Sequence, residues 1–250
     1  MHRDLKIMRR SNYRLVEIFY FPITTIIIWG LFAVFAREFA AEAGLMILVV
    51  NVFWNFALVS QSSTNQMMNV DVWSGSIKQI LTSGVTGMEY LVARILSAII
   101  AGVGVLAVMM AMAYGFGFTA IVSNAWLMIY LSLATLVASI GLAALVATVF
   151  VYLGREYGFV AWTAIQAFVL LSAPFYPVSV FPGALQEVSK AMPFTNIFEG
   201  IRMFVSQGFI SQGLLFWSIV IAAIYLVVAL PLYQLAFERA RRVGILVRMG

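Results

Sequence analysis

The residue types that most often carry out chemistry are scarce in this chain of 250 residues. It has no cysteine, which excludes thiol chemistry and disulfide bonds, and its only histidine is His2. A histidine-ligated metal or a histidine general base is therefore not expected. The ten carboxylates fall in tails, in loops and at the ends of apolar segments: Asp4, Glu17, Glu38, Glu42, Asp71, Glu89, Glu156, Glu187, Glu199 and Glu238. We predict no catalytic residue and no metal site.

An enzyme that works inside a membrane is the alternative from another functional class. It would need paired carboxylates, or a serine with a base, within the apolar segments. Glu199 and Arg202, spaced i and i+3, could form such a site, but a pair at this spacing is more often an ion pair on a helix surface. The sequence also has no G-x-x-x-x-G-K phosphate loop, so we expect any ATP hydrolysis to occur on another chain.

The composition is that of a membrane protein. Hydrophobic residues make up 63% of the chain and charged residues 10%, whereas about a quarter of a soluble domain is charged. Segments that cross a bilayer must satisfy their own backbone hydrogen bonds, which predicts an all-α polytopic fold. The apolar runs predict six spans, at about 18–36, 44–63, 91–114, 126–151, 159–176 and 213–236. The first run follows a basic start but is too long for a signal peptide, so we expect an uncleaved span.

The basic residues are distributed unevenly between the two predicted sides. Twelve fall in inner segments: Arg3, Lys6, Arg9, Arg10, Arg14, Lys78, Arg94, Arg155, Arg239, Arg241, Arg242 and Arg248. Three fall in outer segments: Arg37, Lys190 and Arg202. This asymmetry predicts that both termini, an interface segment at 1–17 and a basic tail at 237–250, are cytoplasmic. The membrane itself is expected to be a prokaryotic plasma (inner) membrane.

The placement of the charges also argues against two other classes of protein. The formal net charge of +5 could suit a nucleic acid, but the basic residues lie beside the spans rather than on one patch, so no nucleic-acid partner is expected. No charge falls in the middle of a predicted span. A proton- or ion-coupled transporter normally needs a carboxylate there, so that class is disfavoured.

The predicted inner loop at 66–90 contains a short helical pattern. Its apolar residues recur at the spacing of one helix face: Trp73, Ile77, Ile80 and Leu81. Thr-Ser-Gly at 82–84 would end this helix, and Thr86 with Glu89 would form a capping box that opens the next span. The helix could be a lever that passes force from a cytoplasmic partner to the spans, or an interfacial helix that only anchors the bundle. The spacing leaves both hypotheses open.

Prolines interrupt the apolar sequence between 168 and 208. Four of the six in the chain lie there: Pro174, Pro177, Pro182 and Pro193. Proline breaks helices, and two short amphipathic segments remain at 182–192 and 196–207, the second with Asn196 as its predicted N-cap. An 11-residue helix is about 16 Å long, half of a ~30 Å hydrocarbon core, so neither segment can span. We predict an outer re-entrant helical hairpin over 178–208, with an exposed loop as the alternative.

These two regions together resemble the type-2 permeases of ATP-binding-cassette exporters. In the inner loop an acidic residue precedes Gly75-Ser76-Ile77, followed by Ile80-Leu81 and a Ser-Gly break. The later pattern comprises Pro174-x-Tyr176-Pro177, Phe181-Pro182, Met192-Pro193-Phe194 and Glu199-Gly200-Ile201-Arg202. The spans and basic termini also recur, so the resemblance covers nearly the whole chain. Lys78 stands where the family usually has glutamate, and Gly84 where proline is common.

The resemblance implies a single permease domain over 1–250, the transmembrane subunit of an ATP-driven exporter. Its cargo would be amphipathic or hydrophobic: a drug, a lipid or a lipid-linked glycan. Two permease chains, expected as a homodimer in the bilayer, would bind two copies of a separate ATPase subunit, which would carry the ATP and Mg²⁺. A passive channel or an assembly subunit is the alternative.

The resemblance also assigns residues to functional segments. The segment from Asp71 to Gly84 would be the coupling helix, and the residues expected to couple to the ATPase are Asp71, Trp73, Ser74, Gly75, Lys78, Gln79, Gly84 and Glu89. The interface helix would include Arg9, Arg10 and Tyr13. The outer re-entrant gate would comprise Pro174, Tyr176, Pro177, Pro182, Pro193, Phe194, Glu199 and Arg202.

Overall fold

The computed structural model of the chain describes residues 12–36, 38–119 and 123–244. These residues form helices and connecting turns, without a strand among them, which confirms the predicted all-α class. The α-helices are α1 (Asn12–Ala36), α2 (Ala41–Trp73), α3 (Ser76–Thr82), α4 (Gly87–Gly115), α5 (Ala125–Leu153), α6 (Val160–Leu171), α7 (Gly183–Ala191), α8 (Thr195–Gln207) and α9 (Gln212–Val243). Two 3₁₀ helices, Arg155–Phe159 and Val178–Val180, precede α6 and α7.

Five of the helices in the described part of the chain are long and apolar enough to cross a membrane. They are Ile18–Ala36 within α1, and α2, α4, α5 and α9. Helix α6, in the predicted fifth span, has 12 residues and a length of about 18 Å, and the preceding 3₁₀ helix adds about 10 Å. Helix α6 ends at Leu171, before the predicted end of the fifth span at 176. The residue before a proline is kept out of the α region, and Ala173 takes a positive φ of 50° before Pro174. The six-span topology stays a prediction.

Helix α2 differs most from the sequence-based expectation. The polar run 61–66 was expected to end the second span, but α2 continues for 33 residues to Trp73. Its polar side chains are buried inside the bundle: Asn51, Asn55, Ser60, Gln61, Ser62, Thr64 and Asn65. Two of the amides bond to the preceding turn of α2, Asn55 Nδ2 to the Asn51 carbonyl at 2.9 Å and Asn65 Nδ2 to the Gln61 carbonyl at 3.3 Å. Because α1, α4, α5, α6 and α8 surround α2, the polar run lies within protein rather than at a helix end.

Small residues bring the long helices close together. Helix α5 packs most extensively against α9, where Gly141 faces the α9 backbone. A Cβ atom at this position would lie 2.8 Å from the Leu226 backbone nitrogen. Gly102 of α4 similarly faces Ser60 of α2. These positions belong to the small-residue pattern that permits close contact between membrane helices.

The alternating direction of the helices gives the bundle two ends. The α3 end carries the C-termini of α2, α5 and α9 and the N-terminus of α4, as the contact between Gly87 and Phe237 shows. The α7–α8 end carries the start of α5 and of α9, where the Tyr130 hydroxyl donates to the Leu215 carbonyl at 2.5 Å. The two regions singled out by the sequence therefore lie at opposite ends of the bundle.

Candidate functional site

A sharp break separates α2 from α3. Only Ser74 and Gly75 join the two helices, and Gly75 has a φ of 72°, in the left-handed region that favours glycine. Trp73 is the last residue of α2 and is 54% exposed, whereas Ile77 of α3 is buried. The predicted apolar face joining Trp73 to Ile77 is therefore wrong, and so is the start of the coupling helix at Asp71. The predicted stop at 82–84 is confirmed, because α3 ends at Thr82, before the Ser-Gly pair.

A buried carboxylate joins three helices at this break. Asp71, near the C-terminus of α2, is 2% exposed. One of its oxygens, Oδ1, accepts a hydrogen bond from Ser76 Oγ of α3 at 2.9 Å. The other oxygen, Oδ2, accepts from the Tyr90 hydroxyl of α4 at 2.8 Å and from the Arg94 guanidinium, also of α4. Asp71 thus holds the first residue of α3 against α2 and α4 with one side chain.

Aromatic rings enclose this ion pair. The Arg94 guanidinium carbon lies 5.1 Å from the centroid of the Tyr90 ring, a cation–π distance. Phe237 of α9 packs on Tyr90 with ring centroids 6.3 Å apart, and on Tyr233 at 5.9 Å. Removing one partner of a buried ion pair usually costs about 3–5 kcal/mol, because the other charge is left uncompensated. The cluster therefore fixes α3 to α2, α4 and α9 firmly.

The side of α3 that faces away from the Asp71 cluster is exposed. Lys78 and Gln79 are exposed, as are Ser74 and Gly84 beside the helix. Gly84 has a φ of 80° with no atom close to its Cβ position, so its conformation favours glycine without any packing demand. The last turn of α9 adds exposed Arg241 and Arg242 to this end of the bundle.

The predicted capping box at the start of α4 is confirmed. The Glu89 backbone nitrogen donates to Thr86 Oγ1 at 3.2 Å, and the Thr86 backbone nitrogen donates to Glu89 Oε2 at 2.8 Å. Both residues are exposed, and the Glu89 carboxylate accepts hydrogen bonds within its own turn. In the predicted interface helix, Arg9 and Arg10 lie outside the described residues. Tyr13 belongs to the first turn of α1.

At the other end of the bundle, Arg202 of α8 fastens the broken segment after α6. Its Nη1 donates to the carbonyls of Ala173 at 2.6 Å and Pro174 at 3.2 Å. Its Nη2 donates to Glu199 Oε1 at 2.5 Å, which also accepts from the Val178 backbone nitrogen at 3.3 Å. The predicted Glu199–Arg202 ion pair is confirmed, and it also holds the backbone of 173–178.

The predicted short segments are helices α7 and α8, but one boundary is wrong. Helix α8 begins at Thr195 with Phe194 as its N-cap, so Asn196 lies in the first turn. The Thr195 hydroxyl donates to the Ser189 carbonyl of α7, which fixes the turn between the two helices. At that turn the Ala191 carbonyl accepts from the Tyr225 hydroxyl at 3.2 Å. Tyr225 lies 13 residues beyond the start of α9, about 20 Å along it, so the hairpin runs beside α9 into the bundle.

The remaining residues of the predicted gate divide into two groups. Pro174, Pro193 and Phe194 are buried, whereas Pro177 and Pro182 are exposed. Tyr176 is half-buried and its ring meets Phe181 edge to face at 5.4 Å between centroids. Apolar side chains on α7 remain uncovered by the described chain: Leu185 is 39% exposed and Val188 is 41% exposed.

Tyr90 and Arg94, which bind Asp71 from α4, were not predicted as functional. Tyr90 had no predicted role, and Arg94 entered only the count of inner basic residues. The sequence signal was an acidic residue in the predicted loop, Asp71, and a basic residue just beyond it, Arg94. Nothing in helical spacing brings together two residues 23 positions apart, so this signal could not identify the pair.

Comparison with curated proteins finds no match. The sequence model of one family, described as ABC-2 type transporter, matches residues 1–205. The match covers most of the chain and includes α3, the Asp71–Arg94 pair, α7 and all but the last two residues of α8. This confirms the resemblance found from the sequence: the chain belongs to the ABC-2 type transporter family, as a multi-pass membrane subunit of an ABC transporter.

Proposed function

We propose that this chain is the transmembrane subunit of an exporter that works as a homodimer with two copies of a separate ATPase. ABC-2 permeases generally act with an ABC ATPase. In this arrangement the α3 end faces the cytoplasm, with both termini, and receives the ATPase of a prokaryotic plasma membrane. ATP and Mg²⁺ bind to the partner, and this chain supplies the pathway.

The observation that carries the proposal is the attachment of α3 through Asp71. An interfacial anchor would need only an apolar face, which Ile77 supplies. Ser76 of α3 in addition bonds to the Asp71 carboxylate of α2, which also binds Tyr90 and Arg94 of α4. A displacement of α3 by a partner is therefore passed to both long helices instead of being absorbed by a flexible loop. This favours the lever hypothesis over the anchor hypothesis.

The partner surface in this proposal is the exposed side of α3. Lys78 and Gln79 make its contacts, with Trp73 and Ser74 beside them. The nearby Arg241 and Arg242 make this end basic, which suits an acidic groove on the ATPase. Lys78, where the family usually has glutamate, would reverse the sign of one partner contact.

We place the exit of the cargo pathway at the α7–α8 end of the bundle. The contact between Ala191 and Tyr225 supports a hairpin that enters the bilayer from the outer side and returns. The exposed Leu185 and Val188 give α7 an apolar surface that suits hydrocarbon or a second permease chain. Two such hairpins in a dimer would narrow the exit, and the Arg202 contacts would hold each one against the end of α6. The cargo would be amphipathic or hydrophobic.

Gentle purification from the native membrane, followed by mass spectrometry, tests the proposal. We expect an ABC ATPase in equal amount and cargo movement in proteoliposomes only when ATP is present. Cargo movement by the purified chain without nucleotide would favour a passive channel. Recovery of the chain with no ATPase under conditions that keep other membrane complexes intact would refute the proposal.

A further inference from the structure

Helices α4 and α5 leave an apolar groove between them. They are neighbours in sequence but touch each other little, because each packs mainly on other helices. The groove has a volume of about 370 Å³. Its walls come from Val103 to Met110 of α4 and from Ala125 to Leu136 of α5, and Phe56 of α2 forms its floor.

The groove offers nothing to a polar ligand. Among the residues that line it, Ser132 alone has a polar side chain. Its hydroxyl donates to the Met128 carbonyl at 2.7 Å, within α5. The other wall residues are apolar, and several face outwards, such as Ile129 at 61% and Leu133 at 55% exposure. An occupant must therefore be apolar along the whole groove.

The dimensions identify the kind of occupant. From Ala125 to Leu136 the wall is about 16 Å long, close to half of a ~30 Å hydrocarbon core and thus to one leaflet. The groove is an open cleft of this length lined by apolar side chains, so one hydrocarbon chain can lie along it.

Exposed aromatic residues lie at the same level as one end of the groove, near the end of α4 and the start of α5. Trp126, the second residue of α5, is 67% exposed, and Tyr114, near the end of α4, is 53% exposed. Trp126 packs against Tyr130 with ring centroids 5.8 Å apart. Exposed Trp and Tyr collect at the headgroup level of membranes. The groove therefore runs from headgroup level at the α7–α8 end towards the bilayer centre.

We propose that this groove is a binding site for one acyl chain of a phospholipid in the leaflet at the α7–α8 end. The headgroup lies at the level of Trp126 and Tyr114, and the acyl chain fills the space between α4 and α5 above Phe56. The lipid completes the packing of two helices that make few contacts with each other. This proposal requires only that the chain spans a bilayer, so it is independent of cargo and ATPase.

A photoreactive lipid tests the site. The protein is placed in nanodiscs that contain phosphatidylcholine with a diazirine on one acyl chain, illuminated, digested and mapped by mass spectrometry. Adducts should be several-fold more frequent on 103–110 and 125–136 than on the exposed face of α9 around Val227. Equal labelling of the groove and of α9 would overturn the proposal, because it would show ordinary lipid contact.

Two matched variants sharpen the test. Ala107→Trp fills the groove and should remove most of its adducts without changing those on α9. Val227→Trp adds the same side chain to an exposed lipid-facing position and should leave the groove adducts unchanged. If Ala107→Trp fails to insert, Ala107→Phe replaces it. Unchanged groove labelling in the filled variant, or crosslinks from the groove to a second copy of the chain, would contradict the proposal.

Discussion

The Tyr90 hydroxyl donates a hydrogen bond of 2.8 Å to Asp71 Oδ2, which joins the end of α2 to the start of α4 across the loop that contains α3. Arg94 donates to the same oxygen, and Ser76 of α3 donates to the other. The loop is therefore not a free connection between two spans. Its helix is held by the same carboxylate that holds the two spans together.

Neutralising Asp71 should destabilise the protein more than neutralising both partners of its ion pair. Asp71→Asn leaves the buried Arg94 charge uncompensated, and we expect a loss of about 3–5 kcal/mol in unfolding free energy. The double variant Asp71→Asn with Arg94→Gln should recover a large part of this loss. Thermal unfolding in detergent measures both, with exposed Glu238→Gln as the control. A single variant as stable as the parent would contradict the buried ion pair.

Replacing Gly75 should uncouple α3 from its partner helices. Gly75 has a φ of 72°, which proline cannot adopt because its ring fixes φ at about −65°. An alanine with this φ would destabilise the structure by about 1–2 kcal/mol. We expect Gly75→Pro to insert in the membrane but to lose ATP-driven transport, while Gly75→Ala loses part of it. Transport in proteoliposomes with the ATPase measures this. Gly213→Ala, where nothing lies near the added Cβ, is the control, and full activity of Gly75→Pro would refute the lever.

Enlarging Gly141 should weaken the contact between α5 and α9. A Cβ atom there meets the Leu226 backbone nitrogen, and backbone cannot move aside as a side chain can. We expect Gly141→Ala to cost about 1–3 kcal/mol, as overpacked positions do. Thermal unfolding compared with Gly115→Ala, which has open space at its Cβ position, provides the measurement. Equal stability of the two variants would show that the helices do not approach so closely.

Arg202→Gln should release the segment after α6. Loss of the charged donor removes the hydrogen bonds to the Ala173 and Pro174 carbonyls, each worth about 1.5–3 kcal/mol when the donor is charged. Hydrogen exchange of peptides covering 173–178 should become faster. Lys190→Gln breaks an exposed ion pair with Glu187 and should leave this exchange unchanged. Equal exchange in the two variants would count against the fastening role of Arg202.

Single cysteines can establish the orientation, since the chain has none of its own. A membrane-impermeant thiol reagent should label Lys190→Cys from the outside only and Lys78→Cys from the cytoplasm only. Ile201→Cys, which is fully buried on α8, should be protected. Labelling of both exposed positions from one side would refute the proposed topology. Labelling of Ile201→Cys as fast as Lys190→Cys would indicate a plain loop instead of a packed hairpin.

Local patterns in the sequence were sufficient for a large part of this structure. Composition and hydrophobic runs determined the all-α membrane class, and the Thr86–Glu89 capping box and the end of α3 at Thr82 depend only on adjacent residues. The prolines between 168 and 208 also separate α6, α7 and α8, because proline disfavours a continuous helix through the residues around it. The spacing i, i+3 was enough to pair Glu199 with Arg202.

Tertiary structure decided where the polar residues point. The polar run 61–66 was predicted to end the second span, yet α2 continues through it. Most of its polar side chains are buried because neighbouring helices, rather than the membrane, surround this part of α2. Asp71 reads as part of a coupling helix, yet it turns inwards because Tyr90 and Arg94 reach it from another helix. Helical periodicity fixes which residues share a face, but the environment of that face depends on contacts between residues far apart in sequence. For a buried charge, this environment determines whether it meets a partner protein or holds the bundle together.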